Sequence, residues 1–261
     1  MKLKFIFRFS ILLTGILIFS ISCKSKKNII TRDQNTNRTH QTHYEKLKRN
    51  ELSNLMSAYE HALAPGGTEK INSLSYSGTV IDQGKKVFVK YYHQRNHTLW
   101  VKTTYAGRQI FPVIYTPAKK AKWTGINYEK LNYEEQKTLD FHLKSDWIFL
   151  PFYLFKYHPE TEFVKLLDFK NLDGRDVDAF STTYQGTKWH FFFDKTHHYL
   201  IRLEKWEPDG KMIFRIDFMD FRPVENIYLA HYWIVKKEKN PQPFKVIWKQ
   251  IKINYIEKQK F

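Results

Sequence analysis

The chain of 261 residues has a single cysteine, Cys23, and only 10 glycines and 9 prolines. One cysteine excludes an intrachain disulfide and the cysteine sets of structural zinc sites. So little glycine and proline excludes a collagen-like or low-complexity chain. The sequence therefore predicts a folded domain that its hydrophobic core alone must stabilise.

Acidic residues are also scarce, with 26 Asp and Glu against 43 Lys and Arg, so the net charge is +17. The basic residues are spread along the chain, in pairs such as Lys85-Lys86 and Lys119-Lys120, and no base-reading motif accompanies them. We therefore expect no nucleic acid partner. An anionic membrane or glycan surface remains compatible with this charge.

Motifs that carry common enzyme chemistry are missing. The sequence has no P-loop, paired-glycine dinucleotide loop or nucleophile elbow. His197, His198 and Asp194 are close in sequence, but adjacent histidines on a strand point to opposite faces, so a polar turn is the better interpretation. We predict no catalytic residues, no metal and no cofactor.

The N-terminal segment has the profile of a bacterial signal peptide. Lys2, Lys4 and Arg8 precede an apolar run at residues 11–19, which is too short to span a bilayer comfortably. Residues 20–23, SISC, resemble a lipobox, although Ser20 stands where leucine is usual. We predict that Cys23 is lipidated; an ordinary signal peptide or an uncleaved anchor is the alternative.

Three regions follow from this assignment. Residues 1–22 are the lipoprotein signal peptide, residues 23–43 are a polar, flexible tether, and residues 44–261 are a single β-rich domain. The tether has almost no apolar content and cannot bury enough surface to fold. We expect a protein of the cell envelope that faces the periplasm, on the outer membrane rather than the inner one.

Hydrophobic periodicity predicts one helix and a series of strands in this domain. Apolar residues three to five apart indicate a helix over 45–63, which the sequence APGG ends. Aromatic residues are 17% of the chain, which favours strands. Alternation of apolar and polar residues predicts strands at 85–92, 98–104, 110–115, 120–124, 177–184, 188–194, 199–203, 212–218, 227–235 and 246–255.

A different region separates the two groups of strands. Residues 133–143 are predicted to be helical, and a dense aromatic segment at 146–155, interrupted by Pro151, follows them. A continuous apolar run of this length cannot all lie on the surface of a soluble monomer. It is either a buried plug over the sheet or the lining of a cavity.

Over residues 58–256 the order of the predicted elements resembles that of the LolA/LolB-like lipoprotein-carrier superfamily. This order is a helix, a long meander, an interrupting aromatic segment and a second meander. The stretches WIFLPF at 147–152, LDGRDVDAF at 172–180, FFDKT at 192–196 and LIRL at 200–203 look like those of Bacteroidota envelope proteins of that kind. The resemblance implies an α+β fold, in which a curved antiparallel sheet forms an open half-barrel over a few helices. The concave side of such a sheet can hold acyl chains.

Aromatic side chains on that concave side are the candidate ligand contacts. Each of them taken alone is more often an ordinary core residue, but together they could line an apolar cavity. We predict a non-enzymatic protein that binds a lipid or a lipoprotein acyl chain; the alternatives are a structural or interaction lipoprotein with a filled core and a hydrolase of envelope polymers. The predicted ligand-binding residues are Trp147, Phe149, Phe152, Phe155, Trp189, Phe191, Phe193, Phe214 and Phe218.

Overall fold

The computed structural model describes residues 43–95, 98–105, 108–115, 145–237 and 240–255. For the strands at 98–105 and 108–115 it describes the backbone alone. The predicted signal peptide, Cys23 and the predicted elements at 120–124 and 133–143 lie outside these residues.

The described elements are mostly strands. Helix α1 is Arg49–Leu63 and helix α2 is Leu150–Tyr157, while Thr68–Lys70 and Trp147–Phe149 are short 3-10 helices. The strands are β1 (Tyr44–Glu45), β2 (Ser73–Asp82), β3 (Lys85–Gln94), β4 (Thr98–Tyr105), β5 (Arg108–Tyr115), β6 (Phe163–Leu166), β7 (Asn171–Leu172), β8 (Arg175–Tyr184), β9 (Thr187–Asp194), β10 (Leu200–Trp206), β11 (Met212–Val224), β12 (Ile227–Lys237) and β13 (Asn240–Ile253).

The strands form one antiparallel sheet in the order β1-β6-β8-β9-β10-β11-β12-β13-β2-β3-β4-β5, with β7 paired to β8. The strands from β8 to β13, and those from β2 to β5, pair with their neighbours in sequence, whereas β13 returns to pair with β2 and β1 pairs with the distant β6. Among the described strands, β1 and β5 are the two edges, so the sheet is open.

Local irregularities curve the sheet. The register shifts between Trp248 and Gln250, where β13 faces β2, and such a bulge bends and twists a strand. Gly78 lies opposite this point, and a Cβ atom there would be 2.1 Å from the carbonyl oxygen of Ile247. Glycine is therefore required where the two backbones approach most closely.

Helix α1 packs on the concave side because its apolar residues share one face. Leu52, Met56, Tyr59 and Leu63 are spaced by four, three and four residues, and all four are buried. The carboxylate of Glu51 accepts a hydrogen bond from the Lys48 backbone N–H at 3.2 Å, which stabilises the first turn. Among the described residues, no helix is long and apolar enough to cross a membrane.

The predicted fold class, an open antiparallel sheet over a few helices, is confirmed. Four strands escaped prediction, β2, β6 and the two-residue strands β1 and β7, and β13 begins at Asn240 rather than at residue 246. Pro151 does not interrupt the aromatic segment, because it occupies the second position of α2, where no backbone N–H is needed for a helical hydrogen bond.

Candidate functional site: the inner aromatic face

The nine predicted ligand-binding residues all belong to one hydrophobic cluster on the concave side of the sheet. Eight of them are at most 5% exposed, and Phe155 is half-buried. Four come from the segment that starts at Trp147, and five come from strands β9 and β11. The fold thus brings together residues that are far apart in sequence.

The segment from Trp147 to Tyr157, called here the cover segment, lies directly on this face. The ring centroid of Trp147 is 5.3 Å from that of Phe214 and 6.2 Å from that of Trp189. Phe152 lies 6.0 Å from Phe193 by the same measure. These distances are those of ordinary aromatic contacts, so the cover segment caps the aromatic face of β9 and β11.

Local sequence explains why the cover segment turns onto the sheet. The carboxylate of Asp146 accepts a hydrogen bond from the backbone N–H of Ile148 at 3.3 Å and so caps the 3-10 helix Trp147–Phe149. Pro151 then starts α2 with its preset backbone angle. The cap and the proline together place six apolar side chains, at 147–150, 152 and 154, in the core.

Polar contacts hold the C-terminal end of the cover segment. The Lys156 ammonium group lies 2.7 Å from Oε1 of Glu60 and 3.0 Å from Oε2 of Glu69. His158 follows α2, and its Nε2 lies 3.3 Å from the hydroxyl oxygen of Tyr184 on β8. The ends are therefore tied by polar groups, while the middle is held by apolar contact.

A second group of rings, called here the aromatic box, lies on the inner face of β2, β3, β12 and β13. Tyr76 has ring centroids 5.1 Å from Trp248, 5.5 Å from Tyr91 and 5.8 Å from Trp233. Trp233 and Trp248 are 5.2 Å apart. All four residues are at most 8% exposed.

Asp146 connects the aromatic box to the cover segment. Burial is the main cause that raises the pKa of this carboxyl to about 6, and its contacts with the backbone of Ile148 and the phenols of Tyr91 and Tyr76 only partly oppose this. Burial in turn raises the pKa of both tyrosines well above its usual value, and the nearby Asp146 adds to the effect. The site therefore contains a carboxylate inside an apolar, aromatic environment.

Sequence reasoning missed Asp146 and the aromatic box. Tyr76 lies in β2, which was not predicted, and Tyr91, Trp233 and Trp248 lie in predicted strands but were not chosen as contacts. Their alternation with polar neighbours was the available signal for an inner face. Nothing in the sequence brings Asp146 next to Tyr76.

The outer face of the same strands carries a small polar pocket of about 50 Å³. It is too small and too polar for an acyl chain. Its lining residues are Ser75, Ser77, Lys90, Gln250, Lys252 and Tyr255.

The part of the chain that the structure describes holds no cluster of metal-ligating residues. No group of three His, Cys, Asp or Glu residues there is placed to hold an ion. Asp194 instead accepts hydrogen bonds from the backbone N–H groups of Thr196 and His197, at 2.8 and 2.7 Å. These contacts define a polar turn between β9 and β10.

No protein-family model and no curated protein sequence matches the chain. Solved structures do resemble it. A domain described as an outer membrane lipoprotein-sorting protein from Vibrio parahaemolyticus is 13% identical, with a TM-score of 0.46 over 80% of this chain and 93% of its own. A LolA superfamily protein from Nitrosomonas europaea is 8% identical, with a TM-score of 0.49 over 78% and 94%.

A DUF1329 family protein from Desulfovibrio piger is 11% identical, with a TM-score of 0.43 over 77% of this chain and 91% of its own. At these identities and scores the likeness concerns the fold alone. The narrower likeness to Bacteroidota envelope proteins stays a prediction. As the sequence led us to expect, a LolA superfamily protein and a lipoprotein-sorting domain are among the solved structures that the chain resembles.

Proposed function

We propose that this chain is a lipid-anchored envelope protein that binds an apolar ligand, a lipid or the acyl chain of another lipoprotein. The ligand would lie between the cover segment and the inner aromatic face, in contact with the nine residues predicted from the sequence. Cys23 would carry the anchor and hold the domain at the outer membrane, facing the periplasm. The protein would act by binding and not by catalysis, in the sorting of outer-membrane lipoproteins.

One observation carries the proposal: the middle of the cover segment meets the sheet through aromatic rings. Trp147 packs on Trp189 and Phe214, and Phe152 packs on Phe193. An acyl chain offers the same kind of surface, so it can replace the cover segment without leaving a buried polar group unpaired. A sheet capped by hydrogen bonds would not allow this exchange.

The rings already touch, so the cover segment must move for a ligand to enter. Its polar contacts lie at the ends, at Asp146, Lys156 and His158. Lys156 is about one-third exposed, so its ion pairs are weak ties, on the order of 1 kcal/mol or less each. The segment is therefore held chiefly by the apolar contacts that the ligand would replace.

Fluorescence quenching by brominated acyl chains tests the proposal. The purified full-length protein, stripped of bound lipid, is titrated with a dibrominated phospholipid and with its unbrominated counterpart. Bromine quenches nearby indoles on contact, so we expect saturable quenching by the brominated lipid alone. The substitution Trp189→Phe should remove part of the quenched signal, because Trp189 faces the cover segment.

Trp206→Phe is the matched control, since Trp206 ends β10 and is only half-buried. Its removal should leave the quenched fraction from the inner face intact. Quenching that never saturates, or a Trp189 variant that behaves like the Trp206 variant, would contradict binding at this face. Native mass spectrometry of the same samples should show bound lipid at a defined stoichiometry.

A second candidate is a non-catalytic interaction protein whose core stays filled. The close ring contacts within this set favour it, because the described rings of the cover segment already pack against those of the sheet. In that case the lipid titration gives no binding. The third candidate, a hydrolase of envelope polymers, has no support among the described residues, since the groups that act on the buried Asp146 are phenols and backbone N–H groups.

The anchor has its own test. Cys23→Ser removes the sulfur that would accept the diacylglycerol, so we expect the protein to lose the lipid mass and to leave the membrane fraction. Cys23 lies in a polar stretch, and a neighbouring change, Ser25→Ala, is the control. Unaltered mass and unaltered fractionation of the Cys23 variant would rule out lipidation.

A further inference from the structure

Three buried polar atoms around the aromatic box make no hydrogen bond of ordinary geometry with the described residues. They are Oδ2 of Asp146, the hydroxyl oxygen of Tyr76 and Nε1 of Trp248. Their residues are 1%, 1% and 4% exposed. Native proteins rarely leave such groups unpaired, and each case calls for a bound partner such as a ligand or a buried water.

The rings around these atoms favour a cation. Tyr76 and Trp248 belong to the aromatic box, in which four rings pack at 5.1 to 5.8 Å. The faces of indole and phenol rings carry negative potential and attract ammonium groups. The buried carboxylate of Asp146 adds a full negative charge beside them when it is ionised.

No protein cation neutralises this carboxylate within the described residues. Asp178 on β8 lies 2.8 Å from Lys165, and Asp217 on β11 pairs with Arg202 and Arg215. Asp146 has no ion pair of that kind, and only phenols and backbone N–H groups act on it. Asp146 thus differs from Asp178 and Asp217 as a buried acid that has no cation beside it among the described residues.

We propose that Asp146 and the aromatic box bind a protonated primary amine carried by the ligand. This inference rests on the proposed function, because the amine would belong to the head group of the lipid whose acyl chains lie beside Trp147. A primary amine fits better than a quaternary one, because its N–H groups can donate to the Asp146 carboxylate, which phenols and backbone N–H groups contact but no cation of the described residues pairs with. Trp248 Nε1 would donate to an ester or phosphate oxygen of the same molecule.

The site is tested by comparing lipids that share their acyl chains and differ in the head group. Stripped full-length protein is mixed with phosphatidylethanolamine, phosphatidylcholine or phosphatidylglycerol at pH 7.5, and binding is followed by native mass spectrometry and calorimetry. We expect phosphatidylethanolamine to bind at least about tenfold more tightly than the other two, as one charge-assisted hydrogen bond requires.

Asp146→Asn is the diagnostic variant, because the amide oxygen can still accept the hydrogen bond from Ile148 while the charge is lost. It should bind all three lipids with similar affinity. Asp209→Asn is the matched control, since Asp209 also accepts a hydrogen bond from the backbone N–H two residues later but lies in an exposed turn. The control should keep the preference of the wild type.

Each outcome bears on one proposal. A preference for phosphatidylethanolamine that survives in the Asp146 variant, or equal binding of all three lipids by the wild type, overturns the amine site and leaves acyl-chain binding intact. No binding of any lipid overturns the proposed function. Titration with phenethylamine then decides the amine site separately: binding that requires Asp146 supports it, and no binding overturns it in favour of a buried water only.

Discussion

Two regions of the sheet bury polar groups in different ways. In β8 to β11, called here the packed half, six consecutive residues of β8, of β9 and of β10 are buried, so both faces are covered. The strands β2, β3, β12 and β13 are called here the aromatic half. In β2 and β13, buried and more exposed residues mostly alternate along the strand, so only one face is covered.

The buried carboxylates differ accordingly. Those of the packed half have strong partners: Asp178 accepts a hydrogen bond from Tyr59 at 2.6 Å, and Asp217 pairs with two arginines. Asp146, a buried carboxyl beside the aromatic half, has no ion pair among the described residues. Cations of the protein hold Asp178 and Asp217 in the packed half, whereas the carboxyl of Asp146 is left for the ligand cation that we propose. The following substitutions test this contrast.

The largest loss of stability is expected for Phe193→Ala in the packed half. The Phe193 ring stacks on Tyr59 at 4.3 Å and contacts Phe180 and Phe152, and the residue is fully buried. The cavity should lower the free energy of unfolding by about 3–5 kcal/mol. Urea unfolding followed by circular dichroism measures this.

The matched change is Phe88→Ala on the outer face of β3, where the ring is 41% exposed. It should lower the free energy of unfolding by less than about 1 kcal/mol. Equal losses for the two variants would mean that the aromatic half is packed as tightly as the other.

Asp217→Asn should destabilise the protein by about 3 kcal/mol, because it leaves the buried Arg202 and the nearby Arg215 without their shared carboxylate. The loss should persist from pH 6 to pH 8, since both arginines stay charged. Urea midpoints at the two pH values check this expectation. A loss below about 1 kcal/mol would show that Asp173, which also contacts Arg202 at 2.9 Å, suffices.

The substitution Asp146→Asn should instead raise the free energy of unfolding at high pH. Burial raises the pKa of this carboxyl from 3.8 to about 6, so the folded chain holds the proton more tightly than the unfolded chain between these values. Stability therefore falls as the pH rises through this window, by up to about 3 kcal/mol once ionisation is complete. Asp146→Asn, which stays neutral, should be more stable than the wild type by that amount at pH 8.

Below pH 4 the Asp146 variant and the wild type should unfold at the same urea concentration, because the wild-type carboxyl is then protonated. Asp209→Asn should show no gain at either pH. A gain that is equal at pH 4 and pH 8 would assign the effect to packing rather than to charge.

The smallest effect on stability is expected for Lys156→Gln in α2. Its ion pairs with Glu60 and Glu69 are partly exposed, so the loss should stay below about 1 kcal/mol. Because these pairs hold the end of the cover segment, the lipid should associate faster with the variant in stopped-flow quenching. Lys170→Gln, an exposed change in the β6–β7 loop, should leave the association rate unaltered.

Sequence periodicity could predict most strands because their inner residues are large and their outer residues polar. The strand β9, with Trp189, Phe191 and Phe193 on one face, is an example. The strand β2 was not predicted because Ser75 and Ser77 occupy outer positions and Gly78 follows them, and serine and glycine are poor strand formers. Pairing with β13 gives these residues a strand conformation that their own preferences do not.

The candidate site was predictable only in part. Aromatic content located Trp147 and Phe214, because a long apolar segment must be buried somewhere. The box and Asp146 depend on contacts between β2, β3, β13 and the cover segment, which lie far apart along the chain. No local pattern encodes such contacts, so the unpaired carboxylate appears only in the folded structure.

The return of β13 to β2 also has a kinetic consequence. The ladder at the centre of the sheet joins residues near the beginning of the domain, such as Thr79, to partners near its end, such as Ile247. Such distant pairing closes a very long loop and slows folding to milliseconds or seconds. While the chain is synthesised from its N-terminus, the edge of β2 that includes Tyr76 therefore stays unpaired until β13 has been made.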